Sequence, residues 1–184
     1  MRGHDLGAYG DAGAVLTSSD ETAARVRGLR NYGSEKKNHH PAFGVNSRLD
    51  TLQAVVLRAK LKRLASWNDQ RRQAAERYDE MLRDLGGVGR PEIMPGNEHV
   101  FHLYVIQVPK RDEVLASLQQ DGVFAGIHYP VPLHLQGVFQ HLANGRGSFP
   151  VAERLADSIL SLPLFPGITE RQQQYTVDML RKAL

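Results

Sequence analysis

The stretch LGAYGDAGAV, Leu6–Val15, decides how the rest of the chain is read. Glycines at 7, 10 and 13 surround Asp11, and the chain then runs straight into GAVLT, Gly13 to Thr17. Glycine suits a backbone that turns tightly or adopts conformations closed to other residues. The spacing GxxGxxG is not the dinucleotide fingerprint, and it precedes an apolar run where that fingerprint would follow a strand. GAVLT predicts a short strand. Ser18-Ser19-Asp20 predicts a helix N-terminus, with Glu21 in the first turn where the helix dipole favours an acid. This helix carries Val26 and Leu29 and is expected to end near Asn31-Tyr32-Gly33. One strand and one helix cannot bury both of their faces, so something else is expected to cover them.

Composition narrows the classes. The chain has 184 residues, 41% hydrophobic and 23% charged, which predicts a packed core and room for one domain, or for a domain plus appended elements. No apolar run approaches the length of a membrane span, and Met1-Arg2-Gly3-His4 leads into glycines, not into the apolar segment of a secretory signal. With no cysteine, disulfides and catalytic thiolates are excluded, and a cytoplasmic location is the expectation. The net charge of +3 and pI near 9.3 invite a nucleic-acid reading. The basic residues argue against it. Arg71-Arg72 lies among Glu76, Asp79 and Glu80, and Arg25, Arg27 and Arg30 follow Asp20 and Glu21, a mixture typical of solvated helix faces.

Further along, Ser34 to Phe43 is polar, contains Pro41 and reads as loop. From Leu49 a helical period sets in: Leu49, Leu52, Val55, Val56, Ala59 and Leu64 share a face, and Ala74, Ala75, Tyr78 and Leu82 continue it. A break is expected near Ser66-Trp67-Asn68, and Gly86-Gly87 stops the element. His102 to Val108 alternates and predicts a strand, Asp112 to Gln120 a helix, and Val123 to Tyr129 a second strand cut by Pro130 and Pro132. Leu135 to Leu142 reads as a helical turn. Pro150 to Leu160 reads as a helix with proline in its first turn, Ser161 to Phe165 as extended chain, and Thr169-Glu170 as the start of a last helix.

Among residues able to carry chemistry, eight histidines invite a metal search. His39-His40 are adjacent and do not converge, His99 and His102 should point to opposite faces of a strand, and no HExxH is present. Hydrogen-bonded or surface histidine is the reading. GVNSRLD, Gly44 to Asp50, sets an amide, a hydroxyl and an arginine before the long helix, which suits an anion; capping by Asn46 or Ser47 is the plainer alternative. GIHYPVPLH, Gly126 to His134, holds two histidines, a tyrosine and two prolines, which makes it either a stiff site loop or a rigid connector.

In order, LGAYGDAGAV, RNYGS (Arg30 to Ser34), GVNSRLDTLQAVVLRAKLKRLASWNDQRR, YVIQVP, GIHYPVPLH and FPVAERLADSILSLPLFPGIT resemble the DegT/StrS nucleotide-sugar aminotransferases, PLP enzymes of fold type I. The resemblance runs from about Leu6 to Leu184. It implies an α/β fold: the C-terminal small domain of such an enzyme, preceded by the last strand–helix piece of the large domain and a long linking helix. The implied divisions are 1–47, 48–86 and 87–184. It also implies transfer of an amino group from glutamate or a similar donor to a keto-sugar nucleotide.

In the family the glycine-rich turn follows the lysine that forms the Schiff base with PLP, and that position falls here on His4. Imidazole can act as a base but makes no imine, so the isolated chain is expected to be inactive, lacking most of the cofactor domain. The resemblance further implies that Asn46 and Arg48 reach a partner subunit's PLP and that His128, Tyr129 and His134 approach the nucleotide sugar. Lys36 and Lys37 are not Schiff-base candidates. The implied partners are a second copy or a separately encoded N-terminal half, with no nucleic acid, membrane or metal. Two alternatives stay open: a non-catalytic fragment or interaction module, and a histidine-type sugar dehydratase relative.

Overall fold

A computed structural model describes residues 6–184, so His4 lies outside the described residues. The chain divides into two compact units, the first running to Ala65 and the second spanning Ser66–Leu184.

In the first unit, α1 (Asp20–Leu29) starts where the sequence predicts: the Ser19 side chain accepts a hydrogen bond from the Thr22 N–H at 3.2 Å. A long turn then returns to α2 (Thr51–Leu61). The glycine-rich stretch is tied to α2 at two points. Tyr9 N–H donates to Gln53 Oε1 at 2.8 Å, and Lys60 Nζ donates to the Gly7 carbonyl at 2.6 Å.

The expected strand at Gly13 to Thr17 does not form, because no other described segment pairs with its backbone. Its apolar side chains stay open to solvent, Leu16 at 95%. The stripe on α2 is helical as expected but unburied, with Leu52 and Val55 exposed and no buried residue in the element. Both observations match an element pair with an uncovered face.

The helix break also falls elsewhere. The chain leaves α2 at Lys62-Arg63 through a tight turn, Arg63 N–H donating to the Lys60 carbonyl at 2.9 Å, and α3 (Leu64–Met81) runs unbroken through Ser66-Trp67-Asn68. There the polar side chains bond along the helix surface and leave the backbone alone: Ser66 Oγ accepts from Gln70 and Asn68 Oδ1 from Arg71, both at 3.5 Å.

The second unit holds the core. Ala74, Ala75 and Tyr78 of α3, with Leu82 beyond it, form one face at helical spacing and are buried. That face packs on a two-stranded antiparallel sheet, β1 (Tyr104–Gln107) and β2 (Ile159–Leu162), in the register Tyr104↔Leu162 and Ile106↔Leu160. These four side chains point to the core, and Ser161 alternates to the opposite face.

The predicted strand Val123 to Tyr129 reduces to a single bridge, Gly126↔Ser161. The chain turns on itself before it, Ala125 N–H donating to the Val123 carbonyl, and Pro130 and Pro132 after it have no N–H to continue a ladder. Helix α5 (Pro150–Ser158) stops short of the expected end, because Ile159 is already extended and Leu160 is drawn into β2 by its pairing with Ile106. α4 (Arg111–Gln120) and α6 (Glu170–Ala183) complete the layer. α6 is held by a capping box in which Thr169 and Gln172 satisfy each other's backbone N–H groups.

Candidate functional site

Two constellations carry the sequence-predicted residues, one in each unit. The first is the turn between α1 and α2. Gly33 and Gly44 meet back to back: a Cβ on Gly33 would fall 1.7 Å from the Ala42 carbonyl oxygen, and one on Gly44 would fall 2.0 Å from the Gly33 nitrogen. Gly33 also takes φ +69°, a conformation glycine adopts without penalty. This contact lets the strands of the turn close. Val45 N–H donates to Leu29 O and Ser47 N–H to Arg30 O, both at 2.8 Å, and Asn31 pairs with Asn46.

Asn46 and Arg48 are therefore brought together on a pinned, exposed segment. Arg48 Nε donates to Asn46 Oδ1 at 3.2 Å, which leaves the amide nitrogen as the group free to donate outward. The Arg48 guanidinium lies over the Tyr32 ring, 5.8 Å from its centroid, and Arg30 donates to the Arg48 carbonyl at 2.5 Å. Neither Asn46 nor Ser47 caps α2. Asp50 is the N-cap, and it makes no side-chain cap bond. The capping alternative is thus set aside. RNYGS and GVNSR each carry a glycine, but only the fold shows that the two glycines need each other.

The second constellation is GIHYPVPLH. His128 Nδ1 lies 2.9 Å from Ser161 Oγ, and its ring meets Tyr129 edge to face at 5.5 Å between centroids. Burial holds the His128 imidazole below its ordinary range, and the nearby His102 adds to this, so it is neutral near pH 7. His128 lines a cavity of about 700 Å3 together with Phe124, Ser161, Phe165, Arg171 and Tyr175.

His134 is engaged differently. Its Nε2 sits 3.0 Å from Glu153 Oε1, and its ring packs against Phe149 at 4.8 Å. Glu153, buried on α5, also accepts from the backbone N–H groups of Gly147 (2.8 and 2.9 Å) and Phe149 (3.2 Å). It supplies the cap that Phe149, as N-cap, cannot. His134 thus ties the GIHYPVPLH segment to α5, while His128 and Tyr129 stand together.

The Glu153 carboxyl is held below its ordinary value, first by the Gly147 N–H and then by Phe149 and His134. A depressed carboxyl stabilises the fold above its unfolded pKa, ordinarily 4.5, and this contribution disappears as pH falls below that toward the folded value. The protection factors of the Gly147 and Phe149 amides, measured exchange corrected for the intrinsic rate at each pH, should therefore fall on acidification below about pH 4.5. In Glu153→Gln that acid-dependent component should be absent.

Sequence patterns gave no individual role to Ser161, Gly126 or Glu153, although all three lie within the quoted motifs. The described residues contain no cluster of three metal-ligating side chains, and no described helix is long and apolar enough to cross a membrane.

The sequence pattern of the DegT/DnrJ/EryC1/StrS aminotransferase family matches residues 2–181. The chain belongs to this family. It is 45% identical over 178 residues to a pleiotropic regulatory protein of Geobacillus stearothermophilus, covering 96% of this chain and 48% of that protein. It is 45% identical over 180 residues to the UDP-N-acetyl-3-dehydro-alpha-D-glucosamine 3-aminotransferase of Acidithiobacillus ferrooxidans, covering 98% and 48%. The crystal structure of S. venezuelae DesV in complex with a ketimine intermediate superposes with a TM-score of 0.93 at 42% identity, over 97% of this chain and 48% of DesV. This DegT/DnrJ/EryC1/StrS chain spans about half the length of the curated relatives it matches.

Proposed function

We propose that this chain forms the small domain and the interface turn of a fold-type I sugar aminotransferase, contributing part of a site completed by other protein. The observation that carries this reading is the Asn46–Arg48 pair, its amide oriented by the guanidinium on a turn that two glycines close. Its donor set suits the phosphate of pyridoxal phosphate: an amide N–H and a guanidinium side by side in one exposed place. Pyridoxal phosphate, when bound, supplies the electron sink for moving a proton between carbons during amino transfer. Asn46 and Arg48 would anchor that phosphate across a subunit interface, while His128 and Tyr129 would contact a nucleotide-sugar substrate.

The amino donor is proposed to be glutamate or a similar amino acid. The acceptor is proposed to be a keto-sugar nucleotide, the class to which the aminotransferase of A. ferrooxidans belongs by name. Family-wide placement of the Schiff-base lysine at residue 4, here histidine, leads to the expectation that this chain alone has no turnover. The uncovered apolar side chains of the first unit, Leu16 and Phe43 foremost, favour association with a second copy or a complementary half.

The test is to mix the chain with the complementary N-terminal half of the A. ferrooxidans enzyme, pyridoxal phosphate, glutamate and the keto-sugar nucleotide. The chain alone should form no amino sugar, and the mixture should. In the mixture, Asn46→Ala should weaken pyridoxal phosphate binding roughly ten- to hundredfold by fluorescence titration, the worth of a charge-assisted hydrogen bond. Unchanged affinity would sink the phosphate role.

A further inference from the structure

We propose that Ser161 is a positioning residue that holds the His128 imidazole, and through it Tyr129, in a single orientation on the loop that faces substrate. The substrate-facing role rests on the function proposed above; the positioning itself stands on geometry alone.

Ser161 sits in β2, and its neighbours Leu160 and Leu162 face the core, so its side chain projects from the other side of the sheet. It is buried, and its backbone is fixed by both bonds of the bridge to Gly126, Ser161 N–H to Gly126 O at 2.7 Å and Gly126 N–H to Ser161 O at 3.0 Å. A hydroxyl on so rigid a base has little freedom. At 2.9 Å from His128 Nδ1 it fixes one edge of the imidazole.

The opposite constraint comes from Gly126. A Cβ there would stand 3.1 Å from His128 Cε1, closer than side chains normally pack, so the ring lies directly on the bare glycine backbone. Between the hydroxyl and the glycine the ring has one seat. Tyr129, exposed and edge-on to that ring, takes its direction from it. His102 is the other titratable group that acts on this imidazole, and it disfavours the charged form. In the ring, Nδ1 is the nitrogen that meets the hydroxyl.

The experiment uses the isotopically labelled 184-residue chain and its Ser161→Ala and Ser161→Thr variants. In the unaltered chain, the His128 Hε1 proton should show a strong nuclear Overhauser contact to the Gly126 Hα protons. Ser161→Ala should lose that contact and show rotamer-averaged imidazole shifts, while slow exchange of the Gly126 and Ser161 amides shows the strand pair intact. Ser161→Thr, which restores a hydroxyl, should recover the contact. A Ser161→Ala variant that keeps both the contact and the ring shifts would overturn the proposal.

Uridine diphosphate, titrated into the same samples, reads the substrate role separately. It should perturb Tyr129 in the unaltered chain and bind about tenfold more weakly to Ser161→Ala. No perturbation of Tyr129 in the unaltered chain would overturn the substrate-facing part and leave the ring-seating result to be judged by the Overhauser contact.

Discussion

Replacing Gly44 with alanine should unfasten the turn that presents Asn46. The added Cβ would lie 2.0 Å from the Gly33 nitrogen, 2.6 Å from the Leu29 carbonyl oxygen and 2.7 Å from the Tyr32 carbonyl carbon. All three are backbone atoms, and no rotamer change can make room. Separating the two strands breaks the bonds from Val45 to Leu29, from Ser47 to Arg30 and from Tyr32 to Val45. The expected local cost is roughly 3 kcal/mol, the upper end for overpacking a tight site. Hydrogen exchange should report it as lost protection at the amides of residues 32, 45 and 47. The second unit should remain protected, because its core contains no residue of this turn. In the complemented assembly, Gly44→Ala should lose pyridoxal phosphate affinity at least as strongly as Asn46→Ala. Undiminished protection at these three amides would show that the turn tolerates the methyl group.

The second large effect is expected at Tyr78→Ala. Tyr78 is fully buried, its ring centroid lies 5.0 Å from that of Tyr104, and its hydroxyl donates to the Pro163 carbonyl at 2.9 Å. Burial raises its phenol to about 12, so it is a neutral donor at any working pH. Truncation removes an aromatic ring from the centre of the core and strands the Pro163 carbonyl. A loss of about 3–5 kcal/mol is expected from the cavity and the lost apolar burial. Tyr78→Phe isolates the hydroxyl and should cost about 1 kcal/mol. Urea denaturation of the second unit, followed by far-UV dichroism, separates the two. Equal losses for the two variants would mean that the hydrogen bond, not the ring, dominates.

Much of the architecture was legible before any coordinates. Helices announce themselves locally. Ser19 before an acidic first turn, Thr169 before Glu170, and the run Ala74, Ala75, Tyr78, Leu82 each act within a turn or two of chain. The ordered motifs from LGAYGDAGAV to SLPLF placed the chain in its family by the same kind of short-range reading.

Strands were less legible, since a strand exists only through its partner. GAVLT has the composition of one and finds no partner among the described residues, and Val123 to Tyr129 retains one bridge where seven residues of ladder were expected. The last residues of α5 were lost to β2 for the same reason: Leu160 answers to Ile106, more than fifty positions away.

The same division runs through the candidate site. By itself the sequence determined the family, the starts of α1, α5 and α6, and the placing of an amide, a hydroxyl and an arginine together in GVNSR, because those patterns are written in neighbouring residues. Only the tertiary structure decided that Gly33 and Gly44 close one turn, that His134 answers to Glu153, and that Ser161 seats His128. The physical reason is distance along the chain: contacts between remote residues depend on backbone paths that no local pattern encodes.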